Sequence, residues 1–193
     1  LPFSKQMFEG PELTGVLFGA VIVCLVGAID DVHELDWLLK LAGQLLAAGV
    51  MAFKGVQLFS LPLGETLVLP APLLVMLTIF FVILATNAVN FVDGLDGLAT
   101  GIVGIAALSF FVYASLTARS YSPPNVFTSA AFIAAALVGV CLGFIPHNFH
   151  PARIFMGDSG SLIIGAVISI LAMRVIDHDI SRLPRWLAAV PTP

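Results

Sequence analysis

The chain of 193 residues is 59% hydrophobic and 10% charged, with a mean hydropathy of +1.05, against roughly 45–50% apolar and 25% charged for soluble domains. That composition places it in a lipid bilayer and excludes an ordinary soluble domain. A formal net charge of −4 and the absence of any basic tract exclude nucleic acid as a partner.

A bilayer core of about 30 Å takes about 20 apolar residues per helix, and six candidate spans fit in chain order. Residues 14–29 form the first, ending at Asp30–Asp31, and 37–53 the second, with Trp37 as an interface aromatic and Lys54–Gly55 closing it. A loop over 56–64 leads to a third span over 66–87, whose start carries Pro70 and Pro72 and so predicts a late start or a kink. The fourth covers 95–117. A Ser/Pro/Asn loop over 119–125 follows, then a fifth span over 126–145 stopped by Pro146. The sixth covers 162–175, followed by a polar Asp177–His178–Asp179 tail and a short amphipathic piece around Trp186. Cys24 and Cys141 lie inside apolar runs and read as packing residues. The chain starts at Leu1 and ends in Ala–Val–Pro–Thr–Pro, which suggests a fragment; residues 1–193 form a single transmembrane unit with no internal repeat and no signal-peptide pattern.

Each crossing reverses the face of the membrane. The turn over 30–36, the junction over 87–97 and the loop over 147–161 therefore share one side. Asp30, Asp31, Glu34, Asp36, Asp93, Asp96 and Asp158 gather there. Carboxylates brought together near a membrane repel, and the cluster calls for a cation. All-oxygen ligands point to Mg²⁺, or Mn²⁺, rather than zinc. Lys40 and Arg153 lie on this face, whereas Lys5, Lys54, Arg119, Arg174, Arg182 and Arg185 fall on the other side or its flanks. The positive-inside rule taken alone would thus put the acidic face outside.

The junction Asn87–Ala88–Val89–Asn90–Phe91–Val92–Asp93–Gly94–Leu95–Asp96–Gly97 puts two carboxylates and two carboxamides between two uncharged runs. An Asp costs roughly 2.5–3.5 kcal/mol on membrane-insertion scales, so such residues are functional candidates by default. Asn87, Asn90, Asp93 and Asp96 recur every third residue, a slowly drifting stripe aimed at one place. The run from His147 through Asn148, Arg153, Phe155 and Asp158 to Ser161 ends in a Gly/Ser turn opening an apolar helix, whose free N–H groups suit a phosphate. Ser159 and Ser161 also read as simple helix caps, His147 and His150 as plain loop residues, and Arg153 as facing either a phosphate or lipid headgroups. The run lacks the Gly–Lys–Ser/Thr ending of a Walker loop.

Gly27–Ala28–Ile29–Asp30–Asp31, the stretch 87–98 and Phe155–Met156–Gly157–Asp158–Ser159–Gly160–Ser161–Leu162 together resemble the polyprenyl-phosphate N-acetylhexosamine-1-phosphate transferases. The loop 147–161 is most similar to that of bacterial N-acetylglucosamine-1-phosphate transferases that start cell-wall linker or surface-polysaccharide synthesis, with the muramoyl-pentapeptide transferases next. The resemblance implies an all-α polytopic membrane enzyme of about ten or eleven helices, of which this chain supplies the third to the eighth, without the two leading helices or the histidine-rich loop near the C-terminus. It implies transfer of a sugar 1-phosphate from a UDP-sugar to polyprenyl phosphate with release of UMP, on the cytoplasmic face of the bacterial inner membrane. Mg²⁺ would be held by Asp158 with Asp93 nearby, Asp30 and Asp31 would orient the acceptor, complete the metal shell or supply a base, and a two-step route through an aspartyl-phosphate competes. Asn90, Asp96 and Asn148 would contact the nucleotide or sugar, Phe155 would stack on the uracil, and Asn87 and Arg153 would also bind substrate. A homodimer is compatible with this reading. Two further classes stand beside it: an inactive scaffold of the same fold, and an ion-coupled transporter, which would instead place acids near the bilayer midplane in paired halves.

Overall fold

A computed structural model describes residues 11–58, 61–63, 65–67, 69–119 and 129–180. Six helices run through them: α1 (Pro11–His33), α2 (Trp37–Phe53), α3 (Ala71–Val92), α4 (Leu98–Arg119), α5 (Ser129–Asn148) and α6 (Gly157–Ile180). Five are long and apolar enough to cross a membrane. The exception, α2, has 17 residues, about 25 Å at 1.5 Å per residue. Their outer surfaces carry large exposed apolar side chains, among them Phe18, Leu46, Phe80, Ile105 and Leu142, as lipid-facing surfaces do. The chain is a polytopic membrane bundle, as its composition requires.

Helix α6 is the hub. Half of its membrane window is buried, against 22–28% for the other four spans. On one side Ala166, Ile170 and Met173 pack with Val16 of α1, Ala48 and Met51 of α2 and Val82 of α3. On the other, Ile164 and Leu171 meet Val103 and Ala107 of α4 and Ala134, Leu137 and Cys141 of α5. Gly27 of α1 makes the closest crossing possible, since a Cβ there would lie 2.5 Å from the Ser159 backbone. Cys141 is buried in this packing and Cys24 half-buried, both as free thiols.

Helix boundaries depart from the expected spans in ways that matter for the site. Between α2 and α3 a short antiparallel hairpin pairs Leu61–Leu63 with Glu65–Leu67, so the third helix starts at Ala71 behind Pro70 rather than at 66. That is the late start its prolines predict, because a proline is tolerated in a first turn and not in an interior. At its other end α3 continues past Asn87 to Val92, keeping Asn87 and Asn90 helical. Pro146 does not stop α5, which runs through it to Asn148. Helix α6 begins at Gly157, five residues before the expected start at 162, which brings Asp158 into its first turn. The piece around Trp186 lies outside the described residues.

Candidate active site

The acidic turns meet. The C-terminal ends of α1, α3 and α5 and the N-terminal ends of α2, α4 and α6 lie at one end of the bundle, and side-chain bonds tie them together. Asp31 Oδ1 accepts the backbone N–H of Asp158 at 2.7 Å, and its Oδ2 accepts that of Ser159 at 3.1 Å. Asn90 Nδ2 donates to Asp158 Oδ1 at 2.8 Å and to Ser161 Oγ at 2.9 Å. Residues 127 and 68 positions apart are thus brought into direct contact.

Lys40, in the sequence only one of two cations on this face, stands at the centre of the cluster. Its ammonium pairs with Asp30 Oδ2 at 2.7 Å and also with Asp158 Oδ2. Asp30 is completed by the Leu35 N–H, 2.8 Å from its Oδ1. The sequence calls for a cation among these acids, and within the chain Lys40 supplies one. Lys40 neutralises part of the charge, and the positive end of α6 neutralises Asp31. Asp31 thereby takes two of the N–H groups opening α6, those of Asp158 and Ser159, that the sequence offered to a phosphate. Lys40 lies in the first turn of α2. Gly157 belongs to this junction too: it has φ +67°, and a Cβ on it would fall 2.9 Å from Asp31 Oδ1. A left-handed backbone beside a carboxylate leaves room for glycine only.

Asp93 differs from the others. It is 8% exposed, and its Oδ1 is buried without a hydrogen-bond partner. Burial pushes its carboxyl above the ordinary range, and the neighbouring Asp158 carboxylate adds to this, while the N–H groups of Gly157 and Met156 pull the other way. Asn90, Asp93, Gly94, Phe155 and Asp158 line one cavity of 410 Å³, within the usual range of small-molecule sites. Phe155 is about half exposed at its edge and also borders a second, apolar cavity of 430 Å³ lined by Cys141, Phe144 and Ile163.

The remaining candidates have other partners. Asp96 Oδ2 accepts from the Ala152 N–H at 3.2 Å and meets His150 Nδ1 at 2.8 Å. These two contacts, the N–H first, hold its carboxyl below the usual range and pin the α5–α6 loop. His150, read as a plain loop residue, therefore has a partner. Asn148, expected to touch the donor, is 1% exposed, accepting from Thr100 Oγ1 at 2.8 Å and donating to Ile154 O at 3.0 Å. Its amide holds the loop rather than reaching into the cavity. Asn87 faces Gln44 of α2, outside the cavity wall. Arg153 is exposed and takes part in none of the ion pairs among the described residues. Ser161 donates to Gly157 O at 2.8 Å and caps no helix end.

No group of three or more His, Cys, Asp or Glu side chains among the described residues is arranged to hold a metal ion. Asp93 and Asp158 are the two carboxylates in the cavity wall. That pair suits Mg²⁺, which binds through one or two carboxylates and takes its other ligands from water and substrate phosphates. An unpartnered buried oxygen on Asp93 fits the same role.

The described residues thus form a helical membrane bundle with an acid-lined cavity at one end. The chain belongs to glycosyl transferase family 4, whose family model matches residues 13–176. It is 41% identical over 161 residues to a decaprenyl-phosphate N-acetylglucosaminephosphotransferase of Mycobacterium leprae, covering 81% of this chain and 40% of that protein. Against a probable undecaprenyl-phosphate N-acetylglucosaminyl 1-phosphate transferase of Bacillus subtilis it is 34% identical over 173 residues, covering 88% of this chain and 46% of the relative. A phospho-N-acetylmuramoyl-pentapeptide-transferase of Desulforudis audaxviator is 37% identical over 162 residues, covering 81% and 41%. The chain thus spans less than half the length of these relatives.

Proposed function

We propose that the protein carrying this chain transfers N-acetylglucosamine 1-phosphate from UDP-N-acetylglucosamine to a polyprenyl phosphate, releasing UMP and starting a cell-wall or surface glycan. The observation that carries this reading is the cavity at the bundle's rim, where Asp93 and Asp158 face a space bordered by Asn90 and Phe155. A lipid acceptor approaches it through the bilayer and a soluble donor from the aqueous side. Identities of 41% and 34% to two N-acetylglucosamine transferases favour that sugar. The 37% relative named for muramoyl-pentapeptide transfer keeps that donor as the second reading. We place the acidic end on the cytoplasmic side of a bacterial inner membrane, where nucleotide sugars are found.

The acceptor phosphate attacks the donor's sugar-bearing phosphorus; the new P–O bond joins lipid phosphate to sugar phosphate, and the P–O bond to UMP breaks. A phosphate monoester has its second pKa near 6, so the acceptor is largely dianionic at neutral pH and needs little help from a base. Phosphoryl transfer asks mainly for positioning and charge neutralisation. Asp158 and Asp93 would hold Mg²⁺, which supplies charge neutralisation across the diphosphate when bound. Lys40 holds Asp30 and Asp158 in place. Asn90 orients Asp158, and Phe155 offers a flat face to the uracil.

The test uses the full-length protein in membranes with Mg²⁺, polyprenyl phosphate and a panel of UDP-sugars, following UMP release. Release with UDP-N-acetylglucosamine and formation of a lipid diphosphate-sugar support the assignment. Release only with the muramoyl-pentapeptide donor replaces it by the second reading, and no release from any donor defeats both.

A further inference from the structure

Gln44 is 2% exposed, and the only other hydrophilic side chain of α2 is Lys40. Its carboxamide and that of Asn87 on α3 bond each other reciprocally. Asn87 Nδ2 donates to Gln44 Oε1 at 2.6 Å, and Gln44 Nε2 donates to Asn87 Oδ1 at 3.3 Å. Asn87 Nδ2 also donates to Ile83 O at 2.8 Å, so both of its N–H donors are engaged. Asn87 lies on the outside of the bundle, where hydrocarbon offers a carboxamide no substitute partner.

The two antiparallel helices carry two polar tiers. Gln44 lies one helical turn beyond Lys40, and Asn87 nearly one turn before Asn90. In the tier at the rim, Lys40 holds Asp158 Oδ2 and Asn90 holds Asp158 Oδ1. In the tier below, the amide pair joins the same two helices side by side. Apolar packing is non-directional, whereas a reciprocal amide pair adds fixed distances and angles at one register.

We propose that Gln44, acting through Asn87, is a positioning residue that fixes the register of α2 against α3 and so the grip of Lys40 and Asn90 on Asp158. The proposal rests on the reading of Asp158 as the metal-holding carboxylate of a sugar-phosphate transferase. It moves Asn87 from the substrate contacts to the frame that aims them.

The experiment measures steady-state UMP release by the full-length membrane enzyme, varying each substrate and Mg²⁺ separately, together with thermal stability in detergent. Gln44→Leu lowers kcat by about 10- to 100-fold, the scale of an ångström-level misplacement, and leaves both KM values within about twofold. The exchange Gln44→Asn with Asn87→Gln keeps the combined reach and both amides and recovers most of the turnover. Gln44→Leu with Asn87→Leu removes both polar groups, so stability returns to wild type or above while kcat stays low. Turnover that recovers with stability in the double-leucine variant shows a merely structural pair and overturns the proposal. So does an unchanged kcat in Gln44→Leu, or a loss confined to donor KM in every Asn87 variant. A wild-type enzyme that releases no UMP removes the assigned reaction and this proposal together, whereas an active one with an indifferent Gln44→Leu removes the proposal alone.

Discussion

The carboxylate of Asp31 caps a helix to which it does not belong, accepting the N–H groups of Asp158 and Ser159 at 2.7 and 3.1 Å. A capping acid normally comes from the residue before its helix; here α1 supplies one for α6 from 127 positions away. The bond ties the end of one acidic motif to the start of another. Asp31→Asn keeps one acceptor and loses the charge that complements the helix end, an effect on the order of 1 kcal/mol. Thermal unfolding in detergent should show a midpoint lowered by about 2–4 °C, with a larger fall for Asp31→Ala. Equal midpoints for all three proteins would mean that the cap contributes nothing to stability.

Gly27 makes that cap possible. Because a Cβ at this position would lie 2.5 Å from both Cα and N of Ser159, Gly27→Ala must push α1 away from the start of α6. Overpacking of this kind costs about 1–3 kcal/mol, and the shift lengthens the Asp31 bonds as well. The expected result is a lower folded yield by size exclusion and a lower unfolding midpoint than in Asp31→Asn. A Gly27→Ala protein as stable as wild type would show that the two helices have room to spare.

Much of this architecture was legible from hydropathy alone. Apolar runs long enough to span a bilayer alternate with short polar turns, so the parity of crossings places Asp30, Asp93 and Asp158 at one end. Parity says nothing about pairing, however. Lys40 read only as one of two cations on the acidic face, and only the folded bundle turns it into the partner of two carboxylates. Asn148 carried the opposite error: a carboxamide in a chemistry-bearing loop looks like a ligand contact, yet Thr100, 48 positions earlier, claims it. The start of α6 was missed because the Gly/Ser turn reads as loop, while the residue that caps it lies on another helix.

The proposed metal dependence rests on the pair of carboxylates in the cavity wall. Chelation with EDTA should abolish UMP release, and Mg²⁺ or Mn²⁺ should restore it. Asp158→Asn is expected to lower turnover by about 10²–10³-fold, the scale of losing one preorganised charged group, with membrane yield unchanged. Asp93→Asn should instead raise the Mg²⁺ concentration needed for half-maximal rate. Full activity in EDTA would remove the metal from the reaction, and near-normal turnover in Asp158→Asn would remove that residue from the site.

The α5–α6 loop should loosen in acid through Asp96. The Ala152 N–H and His150 hold this carboxyl below its ordinary value, so the folded-state pKa lies under the unfolded one, near 3.9. For an acid shifted in this direction, the stabilisation is complete above the unfolded pKa and is lost as pH falls through the folded value. Protonation then weakens the 3.2 Å bond from Ala152, which anchors the loop leading to Phe155. Amide hydrogen exchange over residues 149–156, corrected for the intrinsic pH dependence, should therefore show protection that is flat at neutral pH and falls below about pH 4. In Asp96→Asn the same amides should be less protected at neutral pH and show no further step in acid. An acid step that persists in Asp96→Asn would assign the loosening to another group.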